Sequence, residues 1–101
     1  MSTMSFSTFE TQDRRLVLLR ALEHAAQYRA NTFLLRRYCE AVGHAVSTDR
    51  LAADLAWLKE QELLTLQTVE GVDVATLTDR GVDVATGRAE VPGVQRPRPG
   101  Y

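Results

Sequence analysis

The apolar positions along this chain keep a helical period for its first sixty residues and then change to alternation. In QDRRLVLLRALEHAAQ, residues 12–27, Leu18, Leu19, Leu22, Ala25 and Ala26 recur at helical spacing, and Leu16 and Val17 widen the stripe. This predicts a first helix, with Ser7 and Glu10 placed for a capping box and Thr11 as a second candidate start. The stripe is wider than one small core needs, which makes Leu16 and Val17 candidates for a surface that faces a partner.

A second helix restarts at Asn31, a good N-cap, and NTFLLRRYCEAVGH sets Leu34, Leu35, Tyr38 and Val42 on one side before Gly43 stops it. A third follows, with Ser47 as N-cap, Val46 and Leu51 as a hydrophobic staple, and Leu51, Leu55 and Leu58 as its buried line. Ala52 and Ala56 stand beside that line where close packing is needed.

From Leu63 the pattern alternates. LLTLQTV and GVDVATL read as two strands of a tight hairpin turning at Glu70-Gly71, where glycine supplies positive φ. Val72, Val74 and Thr76 fall on one face of the second strand, and Asp73, Ala75 and Leu77 on the other. The hexapeptide GVDVAT then occurs again at Gly81–Thr86, after Thr78 as an N-cap and with Leu77 and Val82 as a staple. Identical hexapeptides are therefore expected to fold differently, the first as strand and the second as a short helix ending at Gly87.

A chain of 101 residues, 45% hydrophobic, closes one modest core, which fits an N-terminal segment 1–10, a folded domain 11–87 and a Pro/Arg-rich tail 88–101. The tail, with three prolines and no periodicity, is expected to be a mobile or partly extended arm with little to bury. Cys39 is the single cysteine, so neither an internal disulfide nor a CxxC metal pair is available, and a reducing cytoplasm is expected. The start has neither part of a secretory signal, and no run is long enough to span a bilayer, so no membrane is expected among its partners.

Charge changes the picture only when it is divided. The net charge is −1, but residues 1–87 hold nine Lys/Arg against twelve Asp/Glu, and residues 88–101 hold three Arg against one Glu. The positive balance sits in the tail.

The order helix, helix, turn, helix, hairpin, short helix is that of an α+β winged helix-turn-helix, with the hairpin as wing. The stretch YRANTFLLRRYCEAVGHAVSTDRLAADLAWLKEQELLTL, followed by LTDRGVDVATGRAEVPGVQRPRP, resembles the small winged-helix proteins of Mu-like phages and prophages, often labelled ArsR-type transcriptional regulators. The resemblance covers roughly residues 12–98, and its more telling parts are AVGHAVS, DLAWLKEQELL, LTDRG and VPGVQRP. It implies a regulatory, DNA-binding role as a homodimer in the cytoplasm of a bacterial host cell. Metal-sensing ArsR-type repressors carry a cysteine pair on the helix-turn-helix; here the third helix has none, and Cys39, His24 and His44 lack ligand spacing, so no metal is expected.

For a helix that enters a major groove, the residues near its start face the bases. These are Ser47, Thr48, Asp49, Arg50 and Ala53, with Arg50 suited to a guanine edge and Ser47 or Thr48 to a phosphate. The plain reading of Ser47 is a cap, and that of Arg50 is a solvated partner for Asp54 one turn on. Arg36 and Arg37, beside that helix start, and Arg96 and Arg98 of the tail are the candidate phosphate contacts, and Arg14, Arg15 and Arg29 are further positive charges. Against them, the third helix counts Arg50 and Lys59 against Asp49, Asp54, Glu60 and Glu62, and the wing tip TVEGVD carries two acids and no cation. A second reading is accordingly an interaction module that holds a basic protein on its acidic third helix and wing, with Trp57 as an anchor, though Trp57 as a cover for the core edge is the plainer one. No nucleophile, phosphate loop or paired carboxylate in a recognisable motif points to an enzyme, and no catalytic residue or cofactor is expected.

Overall fold

The computed structural model describes residues 5–99. It is an α+β fold in the order α1 (Phe6–His24), a 3-10 turn (Ala26–Tyr28), β1 (Arg29–Asn31), α2 (Thr32–Ala41), α3 (Thr48–Glu60), β2 (Leu64–Val69), β3 (Val72–Leu77) and α4 (Asp79–Ala85). The segment expected over residues 1–10 divides: residues 1–4 lie outside the described residues, and α1 already begins at Phe6. Its cap is Ser5, whose hydroxyl accepts the Thr8 N–H, rather than Ser7 or Thr11; the Thr11 hydroxyl donates instead to the Ser7 carbonyl at 2.9 Å.

α1 is the central element. It packs against α2, α3, α4 and β3, and Leu16, Val17, Leu18, Leu19 and Leu22 are all buried. The wide stripe therefore serves the chain's own core, and Leu16 and Val17 face no partner. Helix α2 starts on Asn31, whose Oδ1 accepts the Leu34 N–H at 2.8 Å, and ends at Gly43 with φ 97°. It buries only Leu35 and Cys39. Leu34, Tyr38 and Val42, which the sequence places with Leu35, point outward, because periodicity marks an apolar side without showing whether the same chain covers it. The third cap is as expected: the Ser47 hydroxyl accepts the Arg50 N–H at 3.0 Å.

Three strands form the antiparallel sheet, in the order β1-β3-β2, where the sequence predicts two. The additional strand pairs Arg29 with Thr76 and Asn31 with Val74, and three residues are too few to show an alternating pattern. The hairpin pairs Leu64 with Leu77 through to Val69 with Val72, and Glu70 and Gly71 both take positive φ, 51° and 79°, as a two-residue primed turn demands.

The two copies of GVDVAT do differ. The first runs through β3; the second forms most of α4, started by the Thr78 hydroxyl, which accepts the Gly81 N–H at 3.0 Å and donates to the Glu62 carbonyl at 2.7 Å. Beyond α4 the chain folds back over α1, and the Gln95 N–H donates to the Gln12 carbonyl at 3.2 Å. The segment expected to have little to bury places Val91 and Val94 in the core.

Candidate nucleic-acid interface

Helix α3 turns Leu51, Leu55 and Leu58 inward. The fourth inward residue is Asp54, 2% exposed, which stands on the same line at i+3 from Leu51 and i−4 from Leu58. Its carboxylate accepts a hydrogen bond from Nε of Arg14, itself 6% exposed, and Nε of Arg15 lies 3.8 Å from its other oxygen. Arg50 thus has no partner in Asp54, and Arg14 and Arg15 are not surface charges for a polyanion. With Asp54 withdrawn, and Glu62 exposed but beyond the end of α3, the charges left on the exposed side of α3 itself are Asp49, Arg50, Lys59 and Glu60, which cancel. The acidic balance read over the whole helix does not describe its outward face. Between those charges lie Ala52, Ala53 and Ala56, all exposed, a shallow surface without bulky side chains.

Arg15 also explains Trp57. The guanidinium lies 3.8 Å from the centre of the indole ring and donates from Nη1 to the Gly93 carbonyl at 3.0 Å. Burial lowers the Arg15 pKa from its ordinary value; Asp54 opposes that shift and the Arg14 charge adds to it. A guanidinium remains charged all the same. Gly93, at φ 100°, approaches so closely that a Cβ there would stand 2.8 Å from the ring. Trp57 is therefore a half-buried platform between α3 and the returning tail, and not a free anchor.

The other candidates separate into committed and free groups. Arg36 Nε donates to the Val46 carbonyl at 3.0 Å and its Nη1 reaches the Thr48 hydroxyl at 3.4 Å, so Arg36 holds the turn between α2 and α3. Ser47 is occupied as a cap. Among the described residues, the side chains of Arg37 and Arg50 have no ion pair or hydrogen bond and are exposed, as is Ala53. Arg96 Nη1 stands 3.9 Å from Glu90, both largely exposed, and Arg98 borders a separate cleft with Phe6, Phe9 and Asp13. The hairpin tip exposes Glu70 and Asp73, the latter accepting a 2.7 Å hydrogen bond from Thr68.

His24, His44 and Cys39 stand apart. His24 Nδ1 lies 2.9 Å from the Arg20 carbonyl, and His44 Nε2 lies 2.7 Å from Asp13. Among the described residues no cluster of three His, Cys, Asp or Glu is arranged to hold a metal. Burial pushes the Cys39 thiol up to about 11 from 9.0, with Arg14 opposing and Asp54 assisting. The unfolded thiol ionises first as pH rises, so stability is intact below 9.0 and falls toward about 11. Urea melts across that range are expected to lose this part of their pH slope in a Cys39→Ala variant; an unchanged slope would refute the assignment.

Among the described residues no helix is long and apolar enough to cross a membrane. Two relatives match the chain over most of its length. It is 49% identical over 89 residues to the uncharacterized protein gp26 of Escherichia phage Mu, covering 88% of this chain and 92% of the relative. It is 39% identical over 95 residues to an uncharacterized protein of Haemophilus influenzae, again covering 88% and 92%. No protein-family model matches, and no solved structure gives a significant match.

Proposed function

The chain belongs to the family of the Escherichia phage Mu protein gp26, and we propose that it is a winged-helix protein that binds duplex DNA through the outward face of α3, as a transcriptional regulator without a metal sensor. The arrangement supports this: α3 follows α2 across a short capped turn, the β2–β3 hairpin follows α3, and β1 closes the sheet on β3. The observation that carries the reading is the burial of Asp54 against Arg14, which leaves an alanine surface with Arg50 at its start on the element that would enter the groove. Arg37 lies one residue from the turn-holding Arg36 and supplies a free cation for a phosphate. The wing tip, with Glu70 and Asp73, stands off the phosphates in this reading.

A fluorescence titration with fragments of the phage's own genome, over a range of salt, tests the proposal. Binding should weaken with salt; Arg37→Ala should lower the slope of log K against log salt by about 0.9, whereas Arg50→Ala should cost about 1–3 kcal/mol and relax the preference at one base pair. Arg36→Ala is a poorer probe because it also releases the turn. No binding at low salt would end this reading and favour the acidic hairpin as a site for a basic protein, although that alternative has lost Trp57 as its anchor.

A further inference from the structure

The first turns of α1 and the start of α3 enclose a cleft of about 320 Å³, within the range of about 300–1,000 Å³ for small-ligand pockets. Ser7, Thr11 and Arg14 stand at i, i+4 and i+7 on α1 and line one side, and Ser47 and Arg50 line the other. Arg14 is 6% exposed, and its guanidinium is only partly satisfied. Asp54 accepts from Nε, but Nη2 lies 3.5 Å from the Thr11 hydroxyl, beyond the usual hydrogen-bond range. That hydroxyl is itself committed, donating to the Ser7 carbonyl at 2.9 Å. Nη1 has no acceptor among the described residues, although a guanidinium carries several N–H donors and a buried donor left unmet is costly. The open side of that group is the cleft.

The facing side brings donors of a different kind. Ser47 caps α3 by accepting the Arg50 N–H, while the N–H groups of Thr48 and Asp49 have no acceptor within the helix and point past its start. The Arg50 side chain is exposed, with no ion pair or hydrogen bond among the described residues. Glu10 borders this cleft and also the one beside Phe6 and Phe9, which places it on the ridge between the two. Arg14, Arg15 and Arg50 against Asp54 and Glu10 are three guanidinia against two carboxylates, an excess of positive charge around the cleft.

We infer that the cleft is a binding site for one phosphate group, held between the open edge of Arg14, the Arg50 guanidinium and the start of α3. Converging donors with an excess of positive charge suit a tetrahedral oxyanion: each guanidinium offers paired N–H groups, and the helix start offers those of Thr48 and Asp49. Arg14 is no surface charge, so the group has to enter the cleft to meet it. Two sources share this chemistry, a free phosphate ion and a backbone phosphate of duplex DNA. The second rests on the proposed DNA binding; the first does not.

Amide spectra of the full chain, titrated with inorganic phosphate to about 50 mM at an ionic strength held constant with chloride, test the site. The Thr48, Asp49 and Arg50 resonances should shift saturably, with a dissociation constant in the millimolar range, and chloride alone should not move them. Arg14 is a poor position to vary, because its loss leaves Asp54 buried without its partner. Ser7 is exposed and its side chain makes no hydrogen bond among the described residues, so Ser7→Glu keeps the fold and sets a carboxylate in the cleft. It should weaken phosphate binding at least about fivefold, and Ser7→Lys should tighten it. A duplex fragment at low salt is the second arm: shifts at the same three amides with the duplex and not with free phosphate, lost in Ser7→Glu, assign the group to the DNA backbone. No saturable shift with either ligand, or shifts indifferent to Ser7→Glu, overturn the site. Phosphate binding without duplex binding keeps the site and ends the DNA proposal, whereas duplex binding with these amides unmoved does the reverse.

Discussion

Gly81→Ala is expected to cost about 3 kcal/mol or more, while Gly71→Ala, at the same position of the same hexapeptide, should cost about 1 kcal/mol. On propensity alone the order would be reversed, since Gly81 lies within α4, where alanine is favoured by about 1 kcal/mol. Space decides otherwise. A Cβ at Gly81 would lie 2.0 Å from the Leu63 carbonyl oxygen and 2.5 Å from Leu77 Cδ1. The first neighbour is backbone, and that same carbonyl accepts the Thr78 N–H at 3.1 Å, so it cannot retreat without releasing the start of α4. Lifting α4 instead would uncover Val84 and Ala85. Overpacking against an immovable group costs about 3 kcal/mol or more, a large part of the roughly 5–15 kcal/mol that a domain of this size holds. Among the described residues nothing lies within 4 Å of a Cβ added at Gly71, and only the positive φ of 79° is strained by a side chain. Thermal melts of the two variants should therefore differ by about 10 °C or more. Equal melting temperatures would show that the contact with Leu63 is not what the geometry says.

The second large effect concerns the buried ion pair. Asp54→Ala should destabilise the fold by about 3–5 kcal/mol, because it leaves Arg14 buried, charged and without its carboxylate. Arg15 adds to the cost: its charge is nearby, burial already disfavours it, and its buried Nε has no hydrogen-bond partner. The double variant Asp54→Leu with Arg14→Leu removes both charges together and should regain most of the loss, since a buried pair contributes little net stability over apolar residues of similar volume. Urea melts followed by Trp57 emission measure both; a loss below about 1 kcal/mol in Asp54→Ala would mean that water reaches the pair. The double variant also separates stability from recognition, since Arg37, Arg50 and the alanine face remain in place.

The three long helices, the hairpin and the short fourth helix were readable because each rests on local chemistry: Asn31, Ser47 and Thr78 cap where their side chains reach the next turn, and Glu70-Gly71 fits a primed turn. β1 was not readable, since its three residues are held by β3 and not by any pattern of their own. The ion pair had left a trace. Arg14 falls on the Leu18–Leu22 line and Asp54 on the Leu51–Leu58 line, so two opposite charges occupy apolar stripes on different helices. Taken one helix at a time, each looked like surface charge; only their pairing across the core shows that neither is. Of the candidate residues, Arg37, Arg50 and Ala53 stand exposed while Arg36 holds a turn and Ser47 caps α3, which spacing alone does not distinguish, and the charge of the outward face depended on which way Asp54 turned.

The return of the C-terminal segment also bears on how the molecule is made. The contact between Gln12 and Gln95 closes a loop of more than eighty residues, and Val94 enters the core long after the helix it returns to has been synthesised. Domains generally gather as the chain emerges from the ribosome, N-terminal parts ahead, but here the surroundings of α1 are complete only once residues 91–95 have joined it. Until Gly93 arrives, Trp57 and Arg15 lack its cover, and that closure depends on a non-local step that local helix formation cannot hasten.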